Sequence, residues 1–270
     1  MDKSVTYVLE MPIKTDENYP QTLREFWGAD IVSCPFKMFE SVQKSAIQCG
    51  ASHVGIVFNI EGTNEIEFCV DTLKEIVKRA TVPLIIRGAG QKQLDEALLP
   101  RLIPCLNTEY AHIVAAAQDL NYKTIVPLVV GTSLKLVLRT PIDINLTKEL
   151  NILSTDLGLR AENILIDPGM GCVGYGLDYG YSIIERIKLA AAAGDSMLDM
   201  PIIVFAGEES FKAKEAKSED FSASWGDLDT RSISWEITTA TALMCAGADT
   251  IVVWHPKTIE TLRQTVGAAC

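Results

Sequence analysis

The sequence predicts a (β/α)8 barrel, a TIM barrel running from residue 1 to 270 as one domain, and three observations carry that expectation. Eight short apolar runs rich in β-branched residues recur along the chain. Segments of helical period separate them. The length of 270 residues meets the roughly 250 that such a barrel needs. With 48% hydrophobic residues the chain can bury a substantial core. An open doubly wound sheet is the competing architecture for the same alternation.

Taken in order, the expected strands are TYVLEM (6–11), HVGIVFN (53–59), VPLIIRG (82–88), RLIPCLN (101–107), TIVPLVV (124–130), NILID (163–167), PIIVFAG (201–207) and TIVVWH (250–255). IVSCP (31–35) competes as a strand, but Pro35 makes it a connection. Among the helical segments, one stripe holds Ile66, Cys69, Val70, Leu73, Ile76, Val77 and Ala80. Thr108 can cap a helix carrying Tyr110, Ile113, Val114 and Ala117, with His112 off its apolar stripe and solvated. Leu146, Leu150, Leu153 and Leu157 mark another helix, and Ile183, Ile184, Ile187 and Ala191 the next. Pro256 suits the first turn of the last one.

Between PIIVFAG and a helix starting near Ile233 runs EESFKAKEAKSEDFSASWGDLDTRS (208–232), far longer than an ordinary connection. It leaves a strand at the C-terminal face, where barrels build their sites, and it carries Trp225 and Gly226. It reads as a binding lid.

Composition excludes several functions. A net charge of −11 argues against nucleic acid or an anionic membrane surface as partner, since both demand clustered Lys and Arg. No uninterrupted apolar run approaches the roughly 18 residues of a membrane span. The opening MDKSVTYVLEMP lacks a signal-peptide core, so a soluble cytoplasmic protein is expected. The seven cysteines (34, 49, 69, 105, 172, 245 and 270) show no C-x-x-C spacing, which argues against a zinc site or iron–sulfur cluster within this chain. They read as reduced, mostly buried thiols. Cys172 stands apart because it lies in a glycine-rich stretch.

That stretch, IDPGMGCVGYGLDYGYSIIER (166–186), holds Gly169, Gly171, Gly174, Gly176 and Gly180. Gly169 to Gly174 matches G-x-G-x-x-G literally, but the context of a dinucleotide fold is absent. Asp167 and Pro168 separate strand from glycine, the helical stripe starts only near Tyr181, and no acid closes the next strand. Bare backbone flanked by Tyr175, Tyr179 and Tyr181 suits a large flat ligand instead, with a multiply turned loop as the competing account. The expected strand ends carry Glu10, Asn59, Arg87, Asn107, Asp167, Glu208 and His255. Asn and Asp there can bond an aminopyrimidine-like edge. No Ser-His-Asp order and no acid–base carboxylate pair stands out. His53 falls on the stability face, and His255 is placed for ligand contact or for a backbone hydrogen bond.

ILIDPGMGCVGYG, WGDLDTRSISWEITTATALMCAGAD, VVWHP and the opening VLEMPIKTDENYPQTLREFWGADIV together resemble the delta (small) subunit of the corrinoid iron–sulfur protein. That family serves the carbon monoxide dehydrogenase/acetyl-CoA synthase (decarbonylase) system. The resemblance covers nearly the whole chain and is strongest from Asn163 to Pro256. It implies a TIM barrel similar to pterin-binding barrels such as dihydropteroate synthase and methyltetrahydrofolate:corrinoid methyltransferases. Asp167-Pro-Gly looks like the pterin family's aspartate motif.

The resemblance implies a heterodimer with a larger subunit that carries the cobamide (corrinoid) domain and the iron–sulfur cluster. A methyltransferase and acetyl-CoA synthase would be transient partners. This chain would be a non-catalytic subunit of a methyl-transfer complex, capping a cobamide shared with its partner. The expected cofactor contacts are Asn107, Asp167, Gly169, Gly171, Gly174, Tyr175, Gly176, Trp225 and His255. The alternative is a free-standing methyltetrahydrofolate:corrinoid methyltransferase, with Asn107 and Asp167 holding the pterin and Asn59 assisting.

Overall fold

The computed structural model describes residues 5–16, 19–106, 109–117 and 122–269. Asn107 and the expected cap Thr108 lie outside the described residues. Eight parallel strands form the barrel: β1 (Thr6–Pro12), β2 (His53–Val57), β3 (Leu84–Arg87), β4 (Ile113–Ala117), β5 (Lys135–Arg139), β6 (Ile164–Asp167), β7 (Ile203–Val204) and β8 (Thr250–Val253). Neighbours run β6-β5-β4-β3-β2-β1-β8-β7. A single parallel bridge, Ile166 with Ile202, closes the remaining seam. There the Ile166 amide donates to the Pro201 carbonyl at 2.8 Å.

The helices around it are α1 (Gln21–Trp27), α2 (Ala29–Val32), α3 (Pro35–Cys49), α4 (Ile66–Arg79), α5 (Lys92–Leu102), α6 (Tyr122–Val129), α7 (Ile144–Asp156), α8 (Leu177–Ala192), α9 (Ala206–Lys212), α10 (Leu228–Ala246) and α11 (Pro256–Ala269). Local chemistry sets their starts. Asp143 accepts from the amides of Asn145 and Leu146 to cap α7, and Asp227 accepts from Thr230 to cap α10. Among the described residues no helix is long and apolar enough to cross a membrane.

Two expected strands are corrected. RLIPCLN ends α5 and continues as a 3-10 turn over Ile103–Cys105, while TIVPLVV lies in α6 and the turn after it. The β-branched residues of TIVPLVV disguise a helix that buries Ile125, Val126 and Val129 at helical spacing. The true fourth and fifth strands are IVAAA and KLVLR. His112 therefore precedes β4 instead of riding a helix. It is wholly buried, its Nδ1 accepts the Leu84 amide at 3.0 Å, and burial lowers its pKa to about 4. IVSCP is a connection as expected, made of α2 and the extended residue before α3.

The barrel interior is layered by alternate strands. Val8, Ile85, Val137 and Ile203 come from the odd strands, and Ile113, Leu165 and Val252 from even ones, all within one apolar cluster. Gly55 of β2 leaves room for Glu10, whose Cβ would lie 2.8 Å from a Cβ added there. Two residues further along each odd strand, toward the C-terminal face, stand Glu10, Arg87, Arg139 and Phe205. The apolar barrel thus ends in a charged layer.

Candidate functional site

The charged layer closes on itself. Arg87 donates from Nε and Nη2 to the two carboxylate oxygens of Glu10 at 2.7 and 2.8 Å. Its Nη1 lies 3.0 Å from Oε2 of Glu208, in the first turn of α9. Trp254, one residue past β8, donates its indole N–H to Glu10 at 2.8 Å. Across the axis Arg139 donates from Nε to Asp167 Oδ2 at 2.5 Å, and Asp167 Oδ1 accepts the Gly169 amide at 3.0 Å. Both guanidinium groups lie over the Phe205 ring, 5.1 and 4.9 Å from its centroid. Burial opposes ionisation of Glu208, but Arg87, Lys212 and Arg139 outweigh it and hold the carboxyl at about 2. Burial likewise works against the charge of Arg87, and Glu10 and Glu208 overcome it.

Beside this layer the glycine stretch folds as a compact loop between β6 and α8. Gly169, Gly174 and Gly176 have φ of 73°, 78° and 88°, a region costly for other residues. A Cβ on Gly171 would sit 2.0 Å from the Tyr175 carbonyl oxygen, so the loop's own doubling-back demands glycine there. The Trp235 indole of α10 donates to the Val173 carbonyl at 3.0 Å and pins the loop from below. Cys172 is buried against Ala213 and Ala216, and burial pushes its thiol pKa up. Tyr175, Tyr179 and Trp225 project from this side, each about half exposed or more at 52%, 64% and 49%.

The long connection after α9 is ordered by one side chain. Arg231 is buried and donates to three backbone carbonyls, those of Glu215 (2.6 Å), Ser218 (2.5 Å) and Gly226 (3.0 Å). Its guanidinium lies 4.8 Å from the Phe221 ring centroid. Trp225 contacts both Phe221 and Trp235 with its ring. The Tyr175 hydroxyl donates to Glu215 at 2.9 Å and so ties glycine loop to lid.

The structure therefore brings Gly174, Tyr175, Gly176 and Trp225 to one side of the loop, whereas Gly171 is turned into the loop and Gly169 lies against Thr140 and Ile142 beside Asp167. His255 stands apart. It is buried against Phe26, ring centroids 4.3 Å apart, and its Nδ1 accepts the Lys257 amide at the start of α11. Burial lowers its pKa to about 4. Asn59 spends both ends of its amide on the backbone of Lys14. Sequence reasoning did not single out Arg139, Trp235 or Glu236. Glu236, fully buried on α10, accepts from the amides of Trp254 and His255 and from the Thr258 hydroxyl. The short continuous apolar run of KLVLR, closed by a charge, was the available signal for Arg139. Trp235 and Glu236 sit in a helix whose neighbours are fixed only by the fold.

Residues 39–263 match the family model described as CO dehydrogenase/acetyl-CoA synthase delta subunit. The chain belongs to this delta-subunit family. It is 32% identical over 199 residues to acetyl-CoA decarbonylase/synthase complex subunit delta 2 of Methanosarcina acetivorans, covering 72% of this chain and 45% of that protein. The delta subunit from Methanopyrus kandleri is 28% identical over 201 residues, covering 74% of this chain and 50% of that protein. The chain thus spans about half the length of the curated relatives it matches. Among solved structures, a sulfonamide complex of Yersinia pestis dihydropteroate synthase superposes with a TM-score of 0.65 at 12% identity, covering 100% of this chain and 97% of that one. Coxiella burnetii dihydropteroate synthase with pteroic acid gives 0.63 at 13% identity, covering 98% and 93%. These likenesses establish a shared barrel with delta-subunit sequence.

Proposed function

We propose that this barrel caps a cobamide carried by a larger iron–sulfur partner subunit. It would act within a complex of the acetyl-CoA decarbonylase/synthase type. The observation that carries the reading is the exposed aromatic face around the glycine loop, in a chain of the delta-subunit family. Its residues fit a broad flat group. A Cβ added to Gly226 would meet nothing within 4 Å, and one on Gly174 would meet only the Trp235 ring at 3.9 Å, so the backbone there can be approached closely. Tyr175 and Trp225 supply aromatic surface with polar tips suited to a rim of amide groups.

A cobamide held there would supply cobalt as the methyl carrier between a methylated tetrahydropterin and acetyl-CoA synthase. The chain's residues would exclude water and orient the macrocycle. Gly174 and Gly176 offer backbone, Tyr175 and Trp225 pack on an edge, and Asp167 with Gly169 holds the loop's entrance. Asn107 belongs to the same proposal by position in the sequence.

The alternative, a free-standing pterin methyltransferase, has less support. Arg139 and the Gly169 amide already engage Asp167, and Lys14 occupies Asn59. Anaerobic size-exclusion of the protein from its native host, with absorbance read across the peak, tests the proposal. Co-elution with a larger chain at one to one, with corrinoid bands, is the expected result. A colourless species without that chain would overturn the stable heterodimer, and saturable binding of methyltetrahydrofolate to it would favour the methyltransferase.

A further inference from the structure

Arg139 is placed as a receptor. Its Nε bond to Asp167 fixes the plane of the guanidinium, and the Phe205 ring backs it at 4.9 Å. Among the described residues, Nη1 and Nη2 of Arg139 have no hydrogen-bond partner, while the side chain is 35% exposed at the barrel mouth. A guanidinium held through Nε presents its remaining edge as two parallel N–H donors, the geometry that grips a carboxylate or phosphate. Glu208 and Asp95 act on it through charge, but neither is hydrogen-bonded to it, and Asp95 accepts the amides of Ala89 and Gly90. Glu10 is taken by Arg87 and Trp254, and Glu208 by Arg87 and Lys212. Arg87 shares the Phe205 ring and adds a second fixed positive charge. On the Arg87 side of the mouth a cavity of about 250 Å³ opens, lined among others by Arg87, Lys14, Lys212 and Lys217 and by the carboxylates of Asp16 and Glu208.

We propose that the open edge of Arg139 is a binding site for the oxyanion of a small ligand, a carboxylate or a phosphate, at the centre of the barrel mouth. The ordering cost of the guanidinium is already met in the free protein, so the site is preorganised. The proposal shares Asp167 with the cobamide reading, but the open edge of Arg139 is read with small anions and needs no macrocycle.

The test is a titration of the full-length chain with inorganic phosphate and, separately, with benzoate. Binding is read from the arginine Nε–H resonances and from heat. Saturable shifts of the Arg139 resonance are expected with at least one probe. Response to phosphate alone assigns a phosphate-bearing ligand, and response to benzoate alone a planar carboxylate. The paired variant Arg139→Gln/Asp167→Asn removes both charges together and should weaken binding at least ten-fold. If that pair fails to fold, Arg139→Lys decides: it keeps the charge, loses the fork, and should weaken binding several-fold. Absence of saturation with both probes would overturn the site. So would undiminished binding in the variants, or an equal loss in Lys212→Ala, which would mark a diffuse basic rim.

Discussion

Arg87 and Glu10 form a two-point ion pair inside the barrel, 77 residues apart in sequence, with both side chains withdrawn from solvent. β1 and β3 are not neighbours in the sheet, so the pair spans the interior and stands in for the apolar contact that a packed barrel would otherwise make there. Such a pair is better understood through what happens when it is broken than through its net worth.

Arg87→Met leaves the Glu10 carboxylate buried with only the Trp254 indole N–H, and should cost about 3–5 kcal/mol. Adding Glu10→Gln neutralises that orphaned charge and should restore part of the loss. Urea midpoints of the two variants check this. A double variant less stable than Arg87→Met would show that the uncompensated charge is not the cause.

Within the glycine loop, two positions separate sterics from backbone strain. Gly171→Ala forces a Cβ against the Tyr175 carbonyl oxygen, and should cost about 1–3 kcal/mol by overpacking while displacing Tyr175. Gly174→Ala makes only an ordinary contact with the Trp235 ring at 3.9 Å and bears the left-handed backbone penalty, about 1–2 kcal/mol. Thermal unfolding should therefore rank Gly171→Ala as the more damaging. Loss of the Tyr175–Glu215 contact should accompany Gly171→Ala alone.

Most of the barrel was legible because a buried parallel strand and an amphipathic helix print different periods. β2, β3, β6, β7 and β8 fall within the expected runs, and β1 extends one residue past its own, to Pro12. The two failures share a cause. IVAAA is alanine-rich and looks helical, whereas TIVPLVV is β-branched and looks extended, and packing against the barrel overrode both propensities. The same slip hid Arg139, since its strand was not seen; the interior alternation of Leu136, Val137, Leu138 would have placed it beside Arg87. Glu10, Arg87, Asp167 and Glu208 were legible as strand-end residues. Their mutual pairing was not, because it depends on which strands face each other across the axis.

Arg231 makes a prediction about the lid. With three backbone carbonyls on one guanidinium, Arg231→Ala should free the segment from Ala213 to Gly226 while leaving the barrel intact. Trypsin should then cut after Lys214 or Lys217 at least ten-fold faster, with little change in the urea midpoint, because local opening tracks local contacts. Arg231→Lys cannot span all three acceptors and should fall between. Unchanged proteolysis in Arg231→Ala would remove the side chain from its anchoring role.

Glu236 gives the pH dependence. Burial raises its pKa to about 7 despite the three donors around it, and His255, whose backbone amide it accepts, has its own pKa lowered by burial to about 4. A carboxyl with a folded pKa of about 7 against 4.5 unfolded favours the folded state most when protonated. Its contribution is complete below pH 4.5, declines as pH rises through 7, and is flat above. The loss across that window is on the order of 3 kcal/mol. Glu236→Gln cannot ionise, so the stability difference between wild type and variant should swing in favour of the variant between pH 5 and about pH 8. Urea unfolding at half-unit pH steps measures it. A difference that stays constant over the range would mean that Glu236 is ionised in the fold, and that its donors outweigh its burial.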